Sequence, residues 1–174
     1  MKRLLSRPAG IGAAAIALGV AGLAVAPATA YADEVSAPYT CTTPLGTQAV
    51  SIQASLTATP DPSAAGGEVA FVLNVSQLGL TAPLTVNSWT ATATLEVSGA
   101  ETAQFQVTGT GGPIPANQPI GGVLNGAWTP SVPGTDEVRG GDVAVTANVV
   151  LIGNVSLACT PDEPRPVGAT LTVR

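Results

Sequence analysis

The sequence predicts an all-β fold: an antiparallel, immunoglobulin-like β-sandwich of eight or nine strands with one disulfide. Three observations point there. Trp89 to Val97 reads WTATATLEV, with Trp89, Ala91, Ala93, Leu95 and Val97 on one face and Thr or Glu on the other. Successive strand side chains point to opposite faces, so this is a half-buried strand. The same alternation recurs along the chain between turn-forming residues, and no stretch has helical periodicity. Cys41 and Cys159 are the only cysteines.

The first 32 residues stand apart from that pattern. Lys2, Arg3 and Arg7 precede an apolar run, Ile11 to Ala26, which Pro27 ends. Ala28-Thr29-Ala30 and Ala30-Tyr31-Ala32 both match a small-residue cleavage pattern, and the second leaves acidic Asp33 first. This predicts a signal peptide over residues 1–32 and a secreted domain over residues 33–174. An uncleaved anchor is the alternative, but the run is short against the roughly 20 residues a spanning helix needs.

Residues 33–174 carry three cations, Arg139, Arg165 and Arg174, and no Lys or His. All 11 acidic residues lie there, so the net charge is −8, three against eleven. Nucleic acid and anionic lipid both demand clustered basic side chains, and both are unfavoured partners. No membrane association is expected after signal cleavage. An even cysteine count in an exported chain predicts the Cys41–Cys159 bridge, with two buried free thiols as the alternative.

The strands follow in order. Tyr39 to Thr43 carries the first cysteine and reads as an edge strand. After the turn at Gly46-Thr47, Val50, Ile52, Ala54 and Leu56 alternate. Pro60 to Gly67 is a loop by composition. Val69, Phe71, Leu73 and Val75 mark the next strand, and Ser76 to Thr85 leads to the Trp89 strand. Ser98 to Glu101 turns into Phe105 and Val107. Gly109 to Gly122 is the longest loop, and Val123 to Trp128 is a short strand. Thr129 to Gly141 reads as a Pro/Gly loop. Val143, Val145, Ala147, Val149 and Leu151 alternate before a reversal at Gly153-Asn154. Val155, Leu157 and Cys159, then Val167 to Val173, complete the set.

Tyr39-Thr40-Cys41, Pro44-Leu45-Gly46, Leu157 to Pro161 and the closing strand Gly168 to Val173 resemble a family of exported actinobacterial β-sandwich proteins with a disulfide. That family has no assigned activity. The resemblance implies the fold and the secreted location and supplies no site residues.

Composition excludes most chemistry. Without His, Lys or a free thiol there is no Ser–His–Asp triad, Cys–His pair, Schiff-base lysine or His-based metal site. Asp136 with Asp142, or Asp136 with Asp162, are the pairs for a carboxylate hydrolase, with solvated loop acids as the plain alternative. Asp136, Glu137 and Asp142 are weak calcium candidates, since calcium takes carboxylate and carbonyl oxygens but no Asp-x-Asp-x-Asp order occurs. No cofactor is expected. Trp128, at a strand end beside a loop, is the candidate platform for a small ligand or glycan, against packing in the core.

If each strand reverses on the last, the loops sort to two ends. Those near 59–67, 98–102, 129–141 and 160–166 hold charged residues. Those at 44–47, 76–85, 109–121 and 152–154 hold none, but contain Leu78, Leu80, Ile114 and Ile120. These four and Trp128 are the candidate contact surface, unless the side chains fold back to plug the core. The expected function is a non-catalytic binding or adhesion module at the cell envelope, its partner a protein or wall component. A small-ligand or glycan binder is the alternative.

Overall fold

The computed structural model describes residues 33–174 and the backbone of Ala30–Tyr31; the rest of the expected signal peptide lies outside the described residues. Ten strands follow in order: β1 Ala30–Tyr31, β2 Val35–Thr43, β3 Gly46–Thr59, β4 Val69–Gln77, β5 Val86–Gly99, β6 Ala103–Gly111, β7 Gly122–Trp128, β8 Gly134–Val149, β9 Gly153–Pro161 and β10 Val167–Val173. No helix occurs among the described residues, and every strand pairing is antiparallel.

The alternation that makes these strands is plain in burial. Along β5, Ala91, Ala93, Leu95 and Val97 are buried, and the intervening Thr92, Thr94 and Glu96 are not. Threonine suits the outer face because its branched carbon packs on the pleat while its hydroxyl meets water. The ladders form one continuous sheet that closes on itself. Its order is β3-β2-β9-β8-β5-β6-β7-β4, and β4 pairs back onto β3. The result is a barrel-like ring of eight strands. Closure gives each ring strand a neighbour on both sides, although β2 meets β9 only from Tyr39 to Thr42. The β6–β7 seam is the weakest, with the single ladder pair Thr108 and Asn125.

Strand expectations change at β2 and in the first half of β8. β2 is not an edge strand, because β3 flanks it on one side and β9 on the other. The stretch 134–141, expected as loop, is the first half of β8. Val138 is buried on its inner face, and β10 pairs with it from Val167–Arg139 to Val173–Gly134. Gly140-Gly141 and the buried Asp136 mask this alternation in the sequence. Beyond the glycines, β8 continues at Val143 as the partner of β9.

β10 therefore lies off the ring and fills one end of it. Its Ala169, Leu171 and Val173 join Leu56, Phe71, Leu95, Val97, Val107 and Val138 in the main core. Burying a side chain of this size contributes about 1.5–3 kcal/mol. Cys41 and Cys159 sit opposite each other on β2 and β9 and form the expected disulfide, tying an N-terminal strand to the penultimate one.

The loops sort to two ends, except 160–166, expected at the charged end, which joins β9 to β10 beside Gly140 in the middle of β8. At the first end, residues 60–68, 100–102, 129–133 and the C-terminus are joined by Ser63–Thr172, Gly66–Pro130 and Ala100–Thr135 backbone bonds. At the opposite end, residues 78–86 run alongside 112–120, with Leu78–Ile120, Ala82–Gln118 and Val86–Ile114 bonds, and Val150 donates to Thr85. The four uncharged connections share this second end.

Candidate functional site

Side chains inside the ring change size from one end to the other. The β10 end holds Phe71, Phe105, Leu56, Leu95, Leu124 and Leu171. Towards the uncharged end the inward positions are Ala37, Ala91, Ala93, Val143, Val145, Ala147 and Val155, with Gly121, Gly122, Gly140 and Gly141 beside them. Small side chains on a wide ring leave space between the walls. The space is a cavity of about 680 Å³. Along β8 and β9, Val143, Val145, Ala147, Val155 and Leu157 face inward yet are only half-buried, because they border that space rather than neighbouring side chains.

Trp89 forms part of the wall. Its indole lies against Gly111 at the end of β6 and Gly122 at the start of β7, where these strands part. A Cβ at Gly111 would stand 2.6 Å from the ring, and one at Gly122 would stand 2.4 Å from it. Neither approach is possible for a side chain, so both positions require glycine for the indole to cover the seam. Ile114 and Ile120 from the long loop pack beside it.

One flank of the cavity is polar. The Tyr39 hydroxyl donates to the Gly141 carbonyl at 3.1 Å. Arg165 donates to the Gly140 carbonyl at 2.7 Å and pairs with Glu96 at 2.8 Å. Asp162 accepts from the Thr40 hydroxyl at 2.9 Å. Loss of solvent around Tyr39 pushes its pKa up to about 12; nearby Arg165 opposes the rise, and Asp142 and Glu96 add to it. These contacts hold the β8 irregularity at Gly140-Gly141 against β2 and the β9–β10 connection. They leave the remaining wall apolar.

The cavity opens at the uncharged end. Its exposed lining residues are Pro44, Leu45, Gln48, Gln77, Gly79, Thr81, Pro83, Ile152 and Ser156. All belong to the β2–β3 hairpin, the end of β4 with its following loop, or the β8–β9 hairpin. At the other end the packed core closes it.

The expected contact residues land differently from an exposed patch. Leu78 is 4% exposed and packs with Tyr39, Ile52 and the disulfide, with Leu80 and Ile120 against them. Leu78, Leu80, Ile114 and Ile120 turn inward and line the cavity. Trp128 stacks on Phe105, with centroids 6.0 Å apart and rings within 8° of parallel, and packs on the main core. It is not among the lining residues.

The calcium candidates do not converge. Asp136 is fully buried and accepts the Glu101 amide proton at 3.0 Å, which pins the β5–β6 turn to β8. Glu137 pairs with Arg139, and Asp142 is exposed. No group of three metal-ligating side chains occurs among the described residues.

The aromatic that matters for the cavity is Trp89, which the alternation assigns to the core. The available signal is the run of small inward residues, Ala91, Ala93 and Ala147, with the glycine pairs Gly121-Gly122 and Gly140-Gly141. No protein-family model matches the chain, and no curated protein matches it in sequence.

Proposed function

We propose that residues 33–174 form a secreted, non-catalytic domain that binds one small apolar molecule inside the ring. The observation that carries this reading is the 680 Å³ space with apolar walls and an open mouth. Ligand sites span roughly 300–1,000 Å³ and are mostly apolar with a few polar groups. Eight-strand barrels are also wide enough to enclose one small ligand. The flank at Tyr39 and Arg165 would orient a single polar end, and the rest of the molecule would be hydrocarbon.

Secretion is supported by the leader pattern and by the disulfide, which persists in oxidising compartments. The non-catalytic reading rests on the absence of His and Lys from residues 33–174 and on both cysteines being bonded. The stacking of Trp128 on Phe105 speaks against its use as a glycan platform.

Val145 faces the cavity from β8, opposite Ala91. In a close-packed core, Val145→Phe would cost about 1–3 kcal/mol through overpacking. In a ligand cavity it fills space. The expected result is an unchanged or higher melting temperature, together with at least about tenfold weaker binding of an apolar fluorescent dye, a loss of about 1.4 kcal/mol. A destabilised variant that binds dye as well as the wild type would refute the cavity reading.

A further inference from the structure

Two hairpin tips at the cavity mouth expose large apolar side chains. Leu45 is 90% exposed at the β2–β3 turn, and Leu151 and Ile152 are 95% and 60% exposed at the β8–β9 turn. β2 and β9 are ladder neighbours, so the two tips stand at the same end on adjacent strands. The sequence places Leu151 in the alternating strand and the reversal at Gly153-Asn154. The chain instead turns at Val150 to Ile152, with Ile152 donating to the Val149 carbonyl.

Leu151 has φ 68°. That left-handed region suits Gly, Asn or Asp and is rarely occupied by a bulky side chain. Asn there would relieve the backbone and place a polar group in water. A leucine at this position therefore works against both backbone and solvation in the free molecule. It is accounted for if the tip spends time out of water. Single exposed apolar residues need no explanation. Three on adjacent tips, one of them in an unfavourable conformation, do.

We propose that these tips dock the cavity mouth on an uncharged lipid surface, from which the apolar ligand enters or into which it leaves. Three features favour lipid over a protein partner. Leu45 and Ile152 also line the cavity, so the docking surface and the ligand site are continuous. The tip residues Leu45, Val150, Leu151 and Ile152 offer no side-chain hydrogen-bonding group, whereas protein interfaces carry about one hydrogen bond per 100–200 Å². The uncharged connections gather at this end, while Asp61, Glu101, Asp136 and Glu137 lie towards the other. The net charge of −8 disfavours anionic lipid, so the surface is a neutral one. This route differs from a basic patch, and it revises the expectation of no membrane association after cleavage.

The inference rests on the cavity reading for its cargo alone, and the test separates the two. Residues 33–174 and Leu151→Asn are floated with phosphatidylcholine vesicles, and dye binding is measured in lipid-free solution. Leu151 does not line the cavity, and Asn accepts its backbone angle. Wild type should float with the vesicles, L151N should partition about tenfold less, and dye affinity should stay within about twofold. Phosphatidylglycerol vesicles should capture less wild type than phosphatidylcholine. The docking proposal is overturned if wild type never floats, if L151N floats equally, or if anionic vesicles bind better. It is also overturned if the tips instead form a dimer that L151N dissolves. Lost dye binding with retained flotation would remove the cavity reading and leave the docking intact.

Discussion

Tyr39 is the only tyrosine in residues 33–174, which makes one residue's ionisation directly observable. Its hydroxyl is buried against Gly141, and its pKa is raised to about 12 from an ordinary value of 10.0. A folded-state pKa above the unfolded value means the folded protein favours the protonated form. That stability is fully present below pH 10 and is lost as pH rises towards 12. The expected loss is about 2–3 kcal/mol across that window, from about 1.4 kcal/mol per pH unit. Denaturant unfolding at pH 9 and pH 11.5 checks it. Tyr39→Phe should be less stable at pH 9 but should lose little more on going to pH 11.5; an equal pH-dependent loss would show that Tyr39 is not responsible. At this scale the sequence was only partly legible. Alternation identified Trp89 as inward-facing, but not the two glycines that receive its indole. Those lie 22 and 33 residues further along the chain, and only ladder pairing brings them together.

Among the elements, the β2–β9 pair is where a long-range constraint acts. The disulfide joins residues 118 apart in sequence, between strands that share four ladder pairs. Closing a loop of that length stabilises by about 4–5 kcal/mol in the chain-entropy model. Replacing both cysteines with alanine should therefore lower stability in denaturant by about 2–5 kcal/mol and loosen the mouth, which the β2–β3 and β8–β9 hairpins frame. A double variant as stable as wild type would show that the ladders alone hold this seam. The bridge was legible because two cysteines behind an export-like leader pattern leave one pairing. The first half of β8 was not. Proline and glycine around 130–141 have the composition of a loop, and Asp136 breaks the apolar alternation. β10 makes that stretch a strand by supplying a ladder that local sequence does not reveal.

For the whole molecule, the strand alternation carried the antiparallel all-β fold, and strict reversal of direction sorted the loops between ends except 160–166, which lies beside Gly140 in the middle of β8. Ring closure and the hollow interior were not readable from the chain. Both depend on which strands become neighbours and on how wide a ring their side chains must fill. The chain fills one end with Phe71, Leu95 and the β10 residues, and lines the other with Ala, Gly and Val. Packed side chains fix the shape, and the unfilled half is available to a ligand. Trp89 borders that half, and Trp128 lies in the filled half. Trp128→Phe leaves Trp89 as the sole indole reporter of residues 33–174. The decisive measurement is a titration of that variant with a brominated long-chain hydrocarbon acid, since bromine quenches indole fluorescence at contact. Saturable quenching at one ligand per chain, abolished by Val145→Phe, is the expected result. Quenching that never saturates, or that persists unchanged in Val145→Phe, would contradict a ligand inside the ring.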